Sequence, residues 1–203
     1  MTFSFTEGHS DPTVQPVPAS VVQQVDAADT TLSNPRRAVI SIGANLGNRL
    51  ETLQGAIDAL EDTPGVRIKA VSPVYETEPW GVEPGSQPSY FNAVVVLKTT
   101  LPPSSLLERA HAVEEAFHRV REERWGARTI DVDIVAYADV VSDDPVLTLP
   151  HPRAHERAFV LAPWHDVEPE AQLPGRGPVA TLLDSVTRDG VAPRKDLELR
   201  LPE

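Results

Sequence analysis

"RAVISIGANLGNRLETLQGAIDAL", residues 37–60, carries two periodicities in succession. The β-branched run at its start predicts a central strand over 37–43. "GANLGN", residues 43–48, reads as a turn, and its two glycines are accounted for as turn residues before a helix. Asn48 with Glu51 resembles a capping box, and Leu50, Leu53, Ile57 and Leu60 then recur at helical spacing. Pro64-Gly65 stops that helix.

Downstream, the same two periods repeat. "VRIKAVSPVY", 66–75, reads as a second strand. "ETEPWGVEPGSQPS", 76–89, is loop, rich in proline and glycine. "YFNAVVVLKT", 90–99, reads as a third strand. A second helix is expected from near Ser105, with Glu108 following and Leu106, Ala110, Val113, Phe117 and Val120 along one stripe. The loop "REERWGA" leads to "RTIDVDIV", 128–135, a fourth strand. The order β-α-β-β-α-β predicts an α+β fold, a ferredoxin-like antiparallel sheet with helices packed on it. A C-terminal extension follows, with helical candidates in "HPRAHERAFVLAPW" and near 178–188.

Residues 1–36 differ in kind. They are rich in Pro, Ser, Thr, Gln and Asp, which predicts a disordered tail, with a short helix over Ser20–Ala28 as the alternative. Residues 37–203 are then expected to form one domain. The chain of 203 residues is 40% apolar and has no cysteine, so disulfides, thiolate metal sites and cysteine nucleophiles are excluded. No apolar run is long enough to cross a bilayer, and the N-terminus lacks a basic region followed by an apolar stretch, so a cytoplasmic location is expected. The formal net charge of −12 argues against nucleic acid as a partner. An anionic ligand would need locally concentrated arginine.

That concentration exists beside the fourth strand. Asp131 and Asp133 are two residues apart, so a strand points both carboxylates to one face, where they repel. A surface strand carries such a pair when nearby cations balance it. Here Arg119, Arg121, Arg124 and Arg128 stand just upstream. Carboxylates are hard ligands for Mg²⁺, which takes its remaining ligands from water and substrate phosphates. Arginine forks suit phosphate oxygens. A bound cation would relieve the repulsion between the acids. "GANLGN" lacks the pattern of a phosphate-cradling glycine loop, so phosphates would be held by arginine and metal.

Tyr90 and Asn92 share one strand face by spacing. An amide can read a heterocycle edge and a ring can stack on it, while the plainer reading is an edge tyrosine and a turn-fixing asparagine. His151, Arg153, His155, Arg157 and Phe159 cluster in "LPHPRAHERAFVL". The two histidines have no obvious third partner for zinc, and a histidine and arginine reaching an anion fits better. Trp80, Trp125 and Trp164 each read equally well as core.

Together these segments resemble the 6-hydroxymethyl-7,8-dihydropterin pyrophosphokinase family of folate biosynthesis. The resemblance covers about residues 37–175 and rests on "ISIGANLGNR", "VSPVYETEPWG", "QPSYFNAVV", "RVREERWGARTIDVDIV" and "LPHPRAHERAFVLAPW", in that order. It implies transfer of the β,γ-pyrophosphoryl group of ATP to the pterin hydroxymethyl group, releasing AMP. It implies that Asp131 and Asp133 bind two Mg²⁺ ions. Arg119, Arg121, Arg128 and Arg157, with His151, would hold the nucleotide phosphates, and Glu114 would lie near the nucleotide. The pterin would stack between Tyr90 and Phe159, with Asn92 and the loop around Thr77 reading its edge. Trp80 would join the pterin site, and Trp125 would sit on a loop that closes over it. The chain has Ala127 where the family motif has proline, His118 where a glycine often precedes the first arginine, and Pro152 where some members have tyrosine.

The residues leave the general base open between a metal-bound hydroxyl acting without one and Asp131 or Asp133. A monomer acting on small molecules is expected. Two rival readings use part of the pattern: a Mg²⁺-dependent phosphohydrolase, which would not need Tyr90, Asn92 and Phe159, and a non-enzymatic nucleotide-binding module of the same fold, which would not need paired acids.

Overall fold

The computed structural model describes residues 32, 34–78, 88–117 and 129–202. Strand β1 spans Arg36–Ala44, helix α1 Arg49–Glu61, β2 Val66–Val71, β3 Tyr75–Thr77 and β4 Tyr90–Thr99. Helix α2 spans Pro103–Ala116 and β5 Asp131–Tyr137. A 3₁₀ turn at Ala154–Glu156 leads into α3, Ala158–Val167. Strands β6 (Gln172–Leu173) and β7 (Gly177–Pro178), helix α4 (Val179–Ser185) and strand β8 (Val191–Pro193) complete the chain.

The main sheet runs β5-β1-β4-β3-β8, with β2 also pairing to β4, and every pairing is antiparallel. Ignoring the split of its second strand, this is the ferredoxin-like βαββαβ arrangement. β1 and β4 are apolar almost throughout because both sheet faces are covered, which removes the need for alternation. Ile40, Ile42 and Ala44 with Ala93, Val95 and Leu97 join Leu53, Ile57, Leu106 and Ala110 of α1 and α2 in one core. Val39 and Val94 join Leu161, Trp164 and Leu183 of α3 and α4 in a second core on the opposite face.

Local chemistry sets the boundaries. Oδ1 of Asn48 accepts from the N–H of Glu51 at 3.4 Å and starts α1, as its position predicts. Gly65, at φ +83°, follows the helix end. α2 begins at Pro103 rather than near Ser105, because proline is suited to the first helical turn, where its missing N–H costs nothing.

The second expected strand is two strands. Pro73 cannot donate to the ladder, and the chain breaks between β2 and β3. Ser72 bridges the gap: its N–H donates to Val94 O at 2.9 Å, and its Oγ accepts from the N–H of Val94 at 2.8 Å. β2 therefore pairs with the far half of β4, and β3 with the near half, beside Asn92.

The fourth strand runs from Asp131 to Tyr137 and contains a bulge: Val39 pairs with Ala136, Ile40 with Ile134. The extra residue, Val135, lies with Ala136 in the second core, while Ile134 and Tyr137 lie in the first. Of the disordered tail expected over residues 1–36, with its alternative short helix, residues 1–31 and 33 fall outside the described residues, and Arg36 already belongs to β1. Leu32 does not float free: its N–H donates to Thr100 O at 2.6 Å and its side chain packs against the first core.

Candidate active site

Three adjacent strands line up the residues singled out in sequence. Gly43 of β1 pairs with Asp131 of β5 on one side and with Asn92 of β4 on the other, and Asn92 pairs in turn with Tyr75 of β3. Next to this row, Ser41 pairs with Asp133 and with Val94. Asp131 and Asp133 are both partly exposed. They share the face that carries Val94 and Val39, the side covered by α3, and β5 is the outermost strand.

The segment from His151 to α3 supplies the opposite wall. Nη1 of Arg157 stands 3.5 Å from Oδ2 of Asp133, and Nε2 of His151 stands 3.9 Å from the same oxygen. Arg157 immediately precedes the first residue of α3, so its backbone is fixed by the start of the helix. Its guanidinium lies 5.6 Å from the ring centroid of Phe159. Burial lowers the Arg157 pKa, but a guanidinium remains charged at neutral pH.

His151 is different. Burial first, then the charge of Arg157, push its imidazole down to about 4, so it is neutral at pH 7. Its Nδ1 accepts from the N–H of Arg153 at 3.1 Å, which leaves the proton on Nε2, facing Asp133. His151 can donate a hydrogen bond to an anion; it does not add a positive charge. Further along this segment, His155 lies beside Glu156, with Nε2 3.4 Å from Oε1.

On the β4 side, Asn92 and Thr77 are both buried, and Nδ2 of Asn92 donates to Oγ1 of Thr77 at 2.7 Å. Tyr90 pairs with Thr77 and is partly exposed, and Phe159 packs at the edge of the second core. The structure thus brings Asp131, Asp133, His151 and Arg157 together, and sets Asn92 two strands and Thr77 three strands from β5, across Gly43.

Glu114, expected near the nucleotide, is buried in α2, where its Oε1 accepts from the N–H of Val132 at 2.9 Å. Trp164 is core: it has no exposed surface, and its Nε1 donates to Glu168. Trp80, Arg119, Arg121, Trp125 and Arg128, together with His118 and Ala127, lie outside the described residues.

Sequence reading missed one residue at the site and two arginines on the opposite face of β3 and β4. Gly43, read as both the last residue of the strand and the first of the turn, is inside β1, and no role was given to it; a glycine interrupting a β-branched run was the available signal. Arg49 and Arg194 both lie over the Phe91 ring, at 3.6 and 5.4 Å, and both reach Glu76 of β3. Arg49 also donates to Ser89 O at 2.7 Å, holding the start of β4. Nothing in local sequence joins residues so far apart in the chain.

Two oxygen-ligand acids on one face, a neutral histidine donor and a fixed guanidinium match a site for a polyphosphate with a divalent cation. The comparisons point the same way. The sequence profile of the family described as 7,8-dihydro-6-hydroxymethylpterin-pyrophosphokinase (HPPK) matches residues 39–169. A 2-amino-4-hydroxy-6-hydroxymethyldihydropteridine pyrophosphokinase of Methylorubrum extorquens is 42% identical over 139 residues, covering 68% of this chain and 87% of the relative. The protein of the same name from Mycobacterium tuberculosis is 42% identical over 186 residues, covering 82% and 95%.

Among solved structures, a Plasmodium falciparum HPPK-DHPS triple mutant with STZ-DHP superposes with a TM-score of 0.63 at 16% identity, over 80% of this chain and 45% of that one. Another, with pteroate, gives 0.61 at 16% identity, over 78% and 44%. The chain spans less than half the length of these solved chains, and at this identity the likeness is one of fold. Among the described residues, no helix is long and apolar enough to cross a membrane. With its profile match from 39 to 169 and these relatives in hand, the chain belongs to the 7,8-dihydro-6-hydroxymethylpterin-pyrophosphokinase family.

Proposed function

We propose that this protein transfers the β,γ-pyrophosphoryl group of ATP to the hydroxymethyl group of 6-hydroxymethyl-7,8-dihydropterin, releasing AMP, and does so on the sheet face shared by β5, β1 and β4. Membership of a pterin pyrophosphokinase family supports the reaction, and the observation that carries its placement is the row Asp131–Gly43–Asn92. An acid pair for the phosphate end and a buried amide for the heterocycle end sit on one sheet face with a single bare position between them.

The donor set fits magnesium. Asp131 and Asp133 offer hard carboxylate oxygens from partly exposed positions on one strand, open to water and phosphate. They would hold two Mg²⁺ ions, which when bound would offset phosphate charge and make the pterin hydroxyl a better nucleophile.

The protein's own groups do the rest. Arg157 holds a phosphate oxygen with a fixed charge, and Nε2 of His151 donates to another. Arg119, Arg121 and Arg128 complete the phosphate grip, with Arg119 and Arg128 opposing the charge that develops during transfer. Glu114 acts by anchoring β5 near the nucleotide. Asn92, steadied by Thr77, reads the pterin edge. Tyr90 and Phe159 flank the ring, and Trp80 and Trp125 add apolar cover that limits competition from water. A monomer working in the cytoplasm on these small molecules fits the reading.

The family relationship gives no support to a phosphohydrolase or a non-enzymatic module. The test is a product analysis with ATP, Mg²⁺ and the pterin. AMP formed in step with pterin diphosphate is expected. ADP as the main nucleotide product, or ATP consumption independent of the pterin, would overturn the reading.

A further inference from the structure

Glycine inside a strand weakens it, having no side chain to pack and more backbone entropy to lose. Gly43 nonetheless sits at the eighth position of β1, between Asn92 and Asp131. It is not among the glycines with positive φ, so backbone freedom does not account for it. Space does. A Cβ built on Gly43 would stand 2.6 Å from Oδ1 of Asn92 and 3.7 Å from its Cγ. The Asn92 carboxamide therefore lies over the bare α-carbon of Gly43. Its other end is tied by the 2.7 Å bond from Nδ2 to Thr77, and both residues are buried. The amide cannot make room at Gly43 without straining or losing that bond.

We propose that Gly43 is a specificity-determining positioning residue: its missing side chain holds the Asn92 carboxamide in the orientation that reads the heterocycle. The inference rests on the assignment of Asn92 to the pterin. Gly43 acts through Asn92; it touches no reacting atom.

The experiment is a double-mutant cycle on the full chain, with Gly43→Ala, Asn92→Ala and the double variant. The readouts are KM for the pterin, KM for ATP and melting temperature. Gly43→Ala is expected to raise the pterin KM about tenfold or more, the scale of losing a well-made hydrogen bond, and to leave the ATP KM within about twofold. In the Asn92→Ala background, where the crowded amide is gone, Gly43→Ala is expected to add less than about threefold. Equal factors in both backgrounds, or parallel rises in both KM values, would overturn the inference and leave the site assignment standing. An unchanged pterin KM in Asn92→Ala alone would overturn the assignment itself, and the inference with it. Should Gly43→Ala fold poorly, the melting temperature of the double variant decides: recovery of stability when Asn92 is also alanine supports the proposal, and no recovery contradicts it.

Discussion

The N–H of Val132, the residue between the two acids, donates to Oε1 of Glu114 at 2.9 Å. Strand β5 is the outermost strand of its sheet, and Glu114 reaches it from α2 with its carboxylate almost fully buried. A helix side chain thus fixes the height and register of the acid-bearing strand. Removing the acceptor should leave a buried N–H unsatisfied, at a cost of about 1–3 kcal/mol. Glu114→Ala should lower thermal stability by that amount and weaken Mg²⁺ binding, whereas Glu114→Gln, which keeps an acceptor oxygen, should do less of both. Denaturation and metal titration of the two variants check this; equal losses in both would contradict the anchoring role.

Asp131→Asn or Asp133→Asn should cost about 3–4 kcal/mol in transition-state stabilisation, on the scale of losing a key electrostatic group. The fold should survive, because removing one of two like charges on a strand face relieves repulsion. Steady-state kinetics at saturating Mg²⁺, beside a circular dichroism melt, separates the two effects. Near-normal turnover would refute the metal role.

The sequence made the architecture legible where one force dominates. The apolar run of β1, the Asn48 cap and the leucine stripe of α1 each had one reading, and each is present. The aspartate pair was readable because its cost in a strand demanded a use. The split of the second strand was harder: Pro73 was visible, but its effect depends on Val94, twenty-one residues later, accepting Ser72 as a bridge. Gly43 was placed at the strand end but explained only as a turn residue, because its approach to Asn92 is invisible until β4 is laid beside it. The neutral state of His151 depends on burial and on Arg157, which no local pattern supplies.

Acid stability should depend on a contact between β1 and the end of α3. Burial pushes the Glu168 carboxyl up, but hydrogen bonds from Arg37 and Trp164 outweigh it and hold the pKa below the usual carboxylate value. A carboxyl with a depressed folded-state pKa contributes stability above its unfolded value, about 4.3, and loses it as pH falls through the folded value. Glu168→Gln should therefore flatten the decline of melting temperature below pH 5 while lowering it at pH 7. Parallel curves for the two proteins would contradict this.

The N-terminal segment gives a sharp boundary. Its composition offers little apolar surface to dock, so deletion of residues 1–31 should leave melting temperature and turnover nearly unchanged. Deletion of residues 1–34 also removes Leu32, which packs against the first core and donates to Thr100 O. The longer deletion should cost about 1–2 kcal/mol more, the value of one partly buried leucine and one hydrogen bond. A large loss in the shorter deletion would show that the earlier residues pack as well.

The most direct measurement follows the phosphorus atoms. ATP labelled at its β-phosphorus is incubated with the protein, Mg²⁺ and 6-hydroxymethyl-7,8-dihydropterin, and the products are separated. Attack on the β-phosphorus places the label in the pterin diphosphate, in step with unlabelled AMP. Label recovered in ADP, or in inorganic phosphate without pterin product, would contradict the account.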